Sequence, residues 1–295
     1  MLKRIIFILK SDRTAYMQTI IADIAYLGER FDVPVTYITT DKNVVALEEA
    51  TETLYLTDDS QTLRRMLTEG YYIIALLHDF NERADLQAAL YAFSEIREID
   101  FDAFLKAYQR LAGLPWHIMD TARLTIRETT VADVDEFYRI YSDPEIARHI
   151  EPLFLDIAEE KAYTADYISK IYRFYGYGVW TVALRETGEV IGRAGISWRQ
   201  GYSDPELGFV IARAHQRQGY AEEALRAIIA YARQELGLGC LQVLTEPVNT
   251  ASRALCEKLG FRERETVMLG GKEHVRMVLL HIVSTYDIMT TNDGK

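Results

Sequence analysis

Two cysteines, Cys240 and Cys256, are all that 295 residues contain. That is too few for a disulfide scaffold, and with no signal peptide in view the expected setting is a reducing cytoplasm. Long apolar runs are missing as well. The N-terminal one, Ile5 to Leu9, is five residues, against the roughly 20 that a membrane helix needs, so no membrane partner is expected. Basic excess is absent from both halves: residues 1–115 carry 12 basic and 18 acidic groups and the remainder 21 and 26, for a net charge of −11. A surface of that sign repels phosphate backbones, which argues against nucleic acid and mildly favours a cationic or amine partner. His215, His274 and His281 show no metal-ligand spacing, and no metal is expected. Phosphate-binding motifs of the P-loop and dinucleotide types, internal repeats and low-complexity tracts are lacking too.

What is present divides the chain in two. Up to residue 115, short apolar strands alternate with helical patterns. Strands are expected at Arg4–Leu9, Val35–Ile38, Leu54–Leu56, Tyr71–Leu77 and Leu90–Phe93. Helices are expected over Ala15–Arg30, Asn43–Ala50, Ser60–Glu69 and Phe101–Leu111. This alternation predicts a small Rossmann-like α/β domain, a parallel sheet with helices on both faces. The break Gly113-Leu114-Pro115 closes it. Over residues 121–283 the order becomes strand, two helices, three strands, helix, strand, helix and two strands, and residues 284–295 form a polar tail.

The most informative stretch runs from Glu206 to Glu223. Leu207, Phe209 and Ile211 alternate on one face of a strand at Glu206–Ile211, while Leu225, Ile228, Ile229, Ala232 and Leu236 recur at helical spacing over Ala221–Leu236. Between them lies Gln216-Arg217-Gln218-Gly219-Tyr220-Ala221. A helix start leaves amide N–H groups pointing one way, and it attracts anions by a few tenths to about 2 kcal/mol for each favourable interaction. Gly219 lets the main chain approach a bulky anion, Ala221 keeps the helix start narrow, and Arg213 and Arg217 add positive charge. The pattern fits a pyrophosphate cradle.

This loop resembles the Gln/Arg-x-x-Gly-x-Gly/Ala loop of the GNAT superfamily of N-acetyltransferases, with Gln216, Gly219 and Ala221 in the three defining places. The segment Asn249 to Phe261 is similar to the family's Asn-x-x-Ser/Ala…Gly-Phe signature. Phe174 to Trp180 and Glu206 to Phe209 resemble the branch containing ribosomal-protein N-terminal acetyltransferases. Together the four signatures stand in the family's order. The resemblance implies a GNAT-type mixed α/β domain behind the Rossmann-like one, acting as an acyltransferase. It implies acetyl-CoA as co-substrate and direct transfer to a primary amine of a small molecule, peptide or protein N-terminus. An oligomer is compatible with this reading.

By the same resemblance, Gln216, Arg217, Gln218, Gly219, Tyr220 and Ala221 would hold the pyrophosphate of coenzyme A. The backbone of Phe209, Val210 and Ile211 would pair with the cofactor, Val210 N–H being the candidate oxyanion donor. Asn249 is either a pantetheine contact or a turn residue before its helix. The chemistry asks for a neutral amine, a stabilised carbonyl oxygen and a departing thiolate. At pH 7 a lysine side chain costs roughly 4.6 kcal/mol to deprotonate and an α-amino group about 1. Glu206 is the candidate base, or else a carboxylate that binds substrate or orders the sheet end. For the acid, the Tyr of many relatives is replaced by Cys256, which also reads as a small core residue, and Ser252 is the favoured candidate. Ser252 reads alternatively as a helix cap or a pantetheine contact, and an enzyme without a dedicated acid is a third reading. Tyr175, Tyr177 and Trp180, with Tyr172 and Phe174, crowd the segment that lines the acceptor side in relatives, where rings stack on substrate or fill a core.

A reading from another class is an acyl-CoA-binding regulatory module without turnover, which would use the same loop. In the first half, Thr57 at a strand end faintly resembles the second motif of haloacid-dehalogenase-like phosphatases. The place of their Asp-x-Asp nucleophile reads Lys10-Ser11-Asp12-Arg13, so phosphoryl transfer is not expected. Asp41, Asp58, Asp59 and Asp79 follow predicted strands, where α/β ligand sites form, and read first as ordinary loop and capping residues.

Overall fold

The computed structural model describes residues 1–10, 14–40, 50–79, 81 and 85–280. Asp12, Asp41, His281, most of the helix expected at Asn43–Ala50 and the tail at 284–295 lie outside them. The chain forms two compact units, one spanning Met1–Trp116 and the other starting at His117.

In the first unit β1 (Arg4–Leu9), β2 (Val35–Thr39), β3 (Thr53–Thr57), β4 (Ile73–Leu76) and β5 (Ala92–Phe93) make a parallel sheet in the order β2-β1-β3-β4-β5. Side chains alternate across it. Ile5, Phe7, Leu9, Leu54 and Leu56 meet Ile20, Ile24 and Leu27 of helix α1 (Thr14–Arg30) and Phe104 and Tyr108 of α3 (Phe101–Leu111). On the other face Ile8, Tyr55, Ile73 and Ala75 meet Leu63 and Met66 of α2 (Ser60–Thr68). Because both faces are covered, these strands read as unbroken apolar runs. Asp59 caps α2 by accepting from Thr62 N at 2.8 Å, so its expected bland role is the one it plays. The Thr57 hydroxyl donates to Ile8 O at 2.8 Å and accepts from Asp59 N at 3.2 Å. It is a buried structural pin, which removes the faint phosphatase resemblance.

The second unit is an eight-stranded sheet, ordered β12-β13-β11-β10-β9-β8-β7-β6. Its strands are β6 (His117–Asp120), β7 (Leu124–Arg127), β8 (Val179–Leu184), β9 (Val190–Ser197), β10 (Glu206–Ile211), β11 (Cys240–Thr245), β12 (Arg262–Leu269) and β13 (Lys272–Leu280). All neighbours are antiparallel except β10 and β11. Strand β6 was not expected: its four residues follow Pro115 too closely to show a period. One face carries α4 (Val134–Tyr141), the single turn α5 (Pro144–Ala147) and α6 (Ile157–Tyr167), which passes through a π turn at Ile168–Tyr172 into α7 (Arg173–Tyr175). On the other lie α8 (Tyr220–Gln234) and α9 (Thr250–Lys258), with Ala224, Leu225, Ile228 and Cys256 packed on Leu207, Ile211, Leu241 and Val243. Asp133 fastens the first face to the sheet. Its carboxylate takes two 2.7 Å bonds from Arg127 of β7, one of 2.7 Å from Thr130 N, and one of 3.1 Å from Thr181 of β8. Among the described residues no helix is long and apolar enough to cross a membrane.

Candidate active site

The sheet of the second unit is split. Strand β10 pairs with β9 at six positions, from Glu206↔Ser197 to Ile211↔Gly192. With β11 it shares one, Glu206↔Gln242. Beyond that point two strands that run the same way part company, and a gap opens at their carboxyl ends.

Ladder geometry tells which amides face the gap. Ala212 N–H donates to Ile191 O at 2.7 Å, so even-numbered backbone groups of β10 point at β9 and odd-numbered ones at β11. Phe209 and Ile211 therefore present N–H groups to the gap, while the Ile211 carbonyl accepts from Gln216 Nε2 at 2.9 Å. Val210 N–H, the expected oxyanion donor, points instead into the ladder opposite Arg193. A period-2 strand cannot offer three successive amides to one side. That expectation is corrected.

At the open end stands the loop before α8. Arg217 and Gly219 both take left-handed backbone angles, φ 61° and 84°. For an arginine that is uncommon, and such outliers cluster at ligand sites. Gly219 occupies the N-cap without any side-chain cap. The first helical bond of α8 is Glu223 N to Gly219 O at 3.0 Å, and among the described residues the amides of 217–222 have no partner. Gln218 accepts on its carbonyl from Arg123 Nη1 at 3.0 Å, and Arg123 also pairs with Glu223 at 2.7 Å and covers the Tyr220 ring at 4.2 Å. A Cβ on Gly219 would come within 3.3 Å of Arg123 Nη2. The acidic Glu222 is neutralised by Arg226 and by Lys258 of α9, at 2.9 and 2.6 Å. What remains is a braced run of unpartnered amides with the Glu222 charge compensated. Gln216, expected to touch the anion, spends its side-chain amide on the strand end.

Helix α9 starts beside the same gap. Asn249 is its N-cap and accepts from Ser252 N at 3.1 Å, the role of the turn residue. Ser252 is half-buried in the first turn, whereas Cys256 is 1% exposed within the core. Burial pushes the Cys256 thiol up to about 12, helped by Glu257. An ordinary thiol titrates near 8.5, so Cys256 is the weaker acid and cannot protonate a departing thiolate efficiently. It leaves the catalytic set.

Glu206 sits where the strands part. By parity its side chain shares a face with Val210, which packs against Ile140 and Ile146 of α4 and α5. Gly208 lies between them on that face, and a Cβ there would meet nothing within 4 Å, so there is room beside the carboxylate. The carboxylate is not bare. Arg199 grips it with Nε on Oε2 and with Nη2 on Oε1 at 3.4 Å, and holds Glu151 at 3.0 Å with its remaining arm. These bonds, to Glu206 first, raise the affinity of Arg199 for its proton against the effect of burial. Arg199 and Glu151 were not anticipated; the signal was the β9–β10 hairpin, which must return residue 199 to the level of 206. Nearby, Ile150 packs against the Val210 cluster, and His149 meets Glu246 at 3.1 Å past the end of β11. Of the expected acceptor rings, Tyr175 is exposed and lies tilted against Tyr177, whose hydroxyl accepts from Trp198 Nε1 at 2.5 Å. Trp180 is fully buried against Tyr231 and belongs to the core. Strand alternation turns this ring inward. No cluster of three or more metal-ligating side chains occurs among the described residues.

With this geometry in hand, comparison decides the family. Residues 123–262 match the family described as acetyltransferase (GNAT) domain. The second unit carries a GNAT acetyltransferase domain. The chain is 29% identical over 170 residues to the uncharacterized N-acetyltransferase p20 of Bacillus licheniformis, covering 56% of this chain and 93% of that protein. It is 29% identical over 150 residues to the uncharacterized protein YkkB of Bacillus subtilis strain 168, covering 48% of this chain and 84% of the other. Among solved structures, the acetyltransferase from Agrobacterium tumefaciens strain C58 is 25% identical, with a TM-score of 0.48 over 55% of this chain and 94% of its own. As an acyltransferase, the GNAT domain supplies two features at one gap: amides at the open end and a carboxylate at the closed end.

Proposed function

We propose that the GNAT domain transfers the acetyl group of acetyl-CoA directly to a primary amine, an α-amino group in preference to a lysine side chain. The observation that carries this reading is the parting of β10 from β11 just beyond Glu206. Acetyl-CoA, when bound, supplies an acyl group activated as a thioester. Amides 217–222 and the Arg217 side chain would hold its pyrophosphate, with Gln218, Gly219, Tyr220 and Ala221 forming the cradle wall. Phe209 and Ile211 N–H face the gap as donors to the pantetheine arm, or to oxygen charge that develops during transfer. Asn249 aligns the start of α9, which leaves the half-buried Ser252 hydroxyl as the proton donor candidate.

Glu206 then acts on the acceptor side, with Tyr175 and Tyr177 as flanking rings. An α-amino group titrates near 7.8 and a lysine near 10.4, so at pH 7 freeing the lysine of its proton costs about 4.6 kcal/mol and the α-amino group about 1. The Glu206 carboxylate is already engaged by Arg199, so the amine that needs less help is the better matched. Glu206 orients the amine and takes its proton through water, a role worth about 100-fold or more.

The test is thiol release from acetyl-CoA at pH 7 over a panel of amines, with acetyl-CoA affinity measured separately by calorimetry. Peptides with free α-amino groups turn over at least 10-fold faster than Nα-blocked lysine peptides. Glu206→Gln lowers kcat at least about 100-fold and leaves acetyl-CoA affinity within twofold. Tight acetyl-CoA binding with no release on any amine would replace transfer by a regulatory acyl-CoA module; faster lysine peptides would overturn the preference.

A further inference from the structure

Glu206, Arg199 and Glu151 form a row that runs outward from the split in the sheet, their side chains 11%, 28% and 78% exposed. Each comes from a different segment. Glu206 opens β10, Arg199 follows the end of β9, and Glu151 lies in the loop between α5 and α6. That loop is fastened on its own account. Ile150 packs on the Val210 cluster, and His149 meets Glu246 at 3.1 Å. The Phe154 carbonyl accepts from the Tyr138 hydroxyl at 2.6 Å, and Phe154 N donates to the buried Glu160 carboxylate at 3.1 Å. Glu151 therefore meets Arg199 from a braced stretch of chain.

The guanidinium is divided between the two carboxylates. Nε and Nη2 donate to the two oxygens of Glu206, and Nη1 donates to Glu151 at 3.0 Å. Because the group is planar, holding Nη1 at one end fixes the plane in which the other two nitrogens meet Glu206. A buried carboxylate needs a cation whatever its task, and a lysine would meet that need. Burial alone does not call for a third residue that ties the cation down.

Orientation does call for one. A glutamate side chain has many rotamers, and the open space over Gly208, next to Glu206 on the same face, gives an unheld carboxylate room to swing. The fork removes that freedom before the amine arrives. We propose that Arg199 is the positioning residue for Glu206, holding its carboxylate still beside the split, and that Glu151 fixes Arg199 in turn. This rests on the reading of Glu206 as the group that takes the proton of the amine. Glu151 is exposed to water, which screens its charge, so its effect is the smaller of the two.

The experiment is a double-variant cycle on the full chain. It reads kcat and KM for a peptide with a free α-amino group, acetyl-CoA affinity by calorimetry, and melting temperature. Arg199→Met lowers kcat about 10–30-fold and leaves acetyl-CoA affinity within twofold. Arg199→Lys keeps the charge without the fork and regains no more than about threefold of that loss. Glu151→Gln, at a position too exposed to matter for folding, lowers kcat about two- to threefold. The decisive step is Arg199→Met placed in the Glu206→Gln background, where it costs less than about threefold more, because the group it positions has gone. A merely structural arginine would cost the same factor in both backgrounds. Equal costs in the two backgrounds, full recovery by lysine, or an unchanged kcat in Arg199→Met would overturn the proposal and leave Glu206 its role. An unchanged kcat in Glu206→Gln, or no thiol release with any amine, would overturn the transfer reading and this proposal with it.

Discussion

The molecule contains two kinds of parallel seam. Strands β1 and β3 pair at five successive positions, Arg4↔Thr53 through Ile8↔Thr57, and stay together to their carboxyl ends. Strands β10 and β11 pair at one. Both seams are packed on apolar residues, β1 and β3 on α1 and β10 and β11 on α8, so hydrophobicity does not explain the difference. Polar staples do. Across the closed seam Thr57 reaches Ile8 O and Asp58 reaches Lys10 N, at 2.8 Å each. Across the open one, the group that could reach over, Gln216, turns back to Ile211 O of its own strand. A buried N–H left unpaired costs about 1–3 kcal/mol. A sheet keeps such a gap only if its flanks are rigid and something fills it.

Breaking a flank gives the largest effect. Asp133 ties α4 to β7 and β8 on the acceptor side of the split. Burial would raise its carboxyl, but the Arg127 fork and the Thr130 amide and hydroxyl outweigh that and hold it below the usual carboxylate range. Asp133→Ala leaves the half-buried Arg127 without its carboxylate partner and Thr130 N without its acceptor, an expected loss of about 3 kcal/mol in urea unfolding of the second unit. The pH sign follows from a lowered folded-state value. The stabilisation is present above the unfolded-state value near 3.9 and is lost as pH falls through the lower folded one. Wild type therefore loses stability on acidification below about pH 4, and Asp133→Asn, read by the same unfolding curves, shows a shallower loss there.

Filling the gap wrongly comes next. Gly219→Glu puts a Cβ at a left-handed φ, 3.3 Å from Arg123, and a carboxylate among amides that await an anion. Acetyl-CoA affinity falls at least about 100-fold by calorimetry, roughly 2.7 kcal/mol or more, while the melting temperature moves by only a few degrees. Retained affinity would mean that the cradle is elsewhere.

The two seams were not equally legible. In the first unit, alternation of apolar runs with helices sufficed for a parallel sheet, because packing on both faces writes itself into composition. In the second, the turn that opens α8 showed in Gly219, because a left-handed backbone restricts residue choice. The split did not show, since pairing along β10 is a matter of backbone direction and leaves no side-chain signature. The Val210 expectation failed for that reason. Arg199 on Glu206 was hidden because the pair depends on the return of a hairpin through Gly201 to Pro205, whose length sets the register. Cys256 and Trp180 show the opposite failing: residue type suggested chemistry, and their side-chain directions placed them in the core.

The smallest effect tests the comparison most directly. Thr57→Val keeps volume and β-branching in the closed seam but deletes the bond to Ile8 O and the acceptor for Asp59 N. With Thr57 fully buried, the Ile8 carbonyl loses its side-chain donor in a dry environment, and a loss of about 1–2 kcal/mol in urea unfolding of the first unit is expected. Thr57→Ser, which retains the hydroxyl and gives up a methyl, recovers the polar part and loses about 1 kcal/mol for the missing contact. Acetyl-CoA affinity of both variants stays within twofold of wild type. If Thr57→Val were neutral, ladder bonds alone would be holding β1 to β3, and the parting of β10 from β11 would need a cause within the strands themselves. The nearest one is the curl of β9, where a Cβ on Gly192 would fall 2.1 Å from Val210 O and leave no room for any side chain. Gly192→Ala would then disturb the gap more than any change at its mouth.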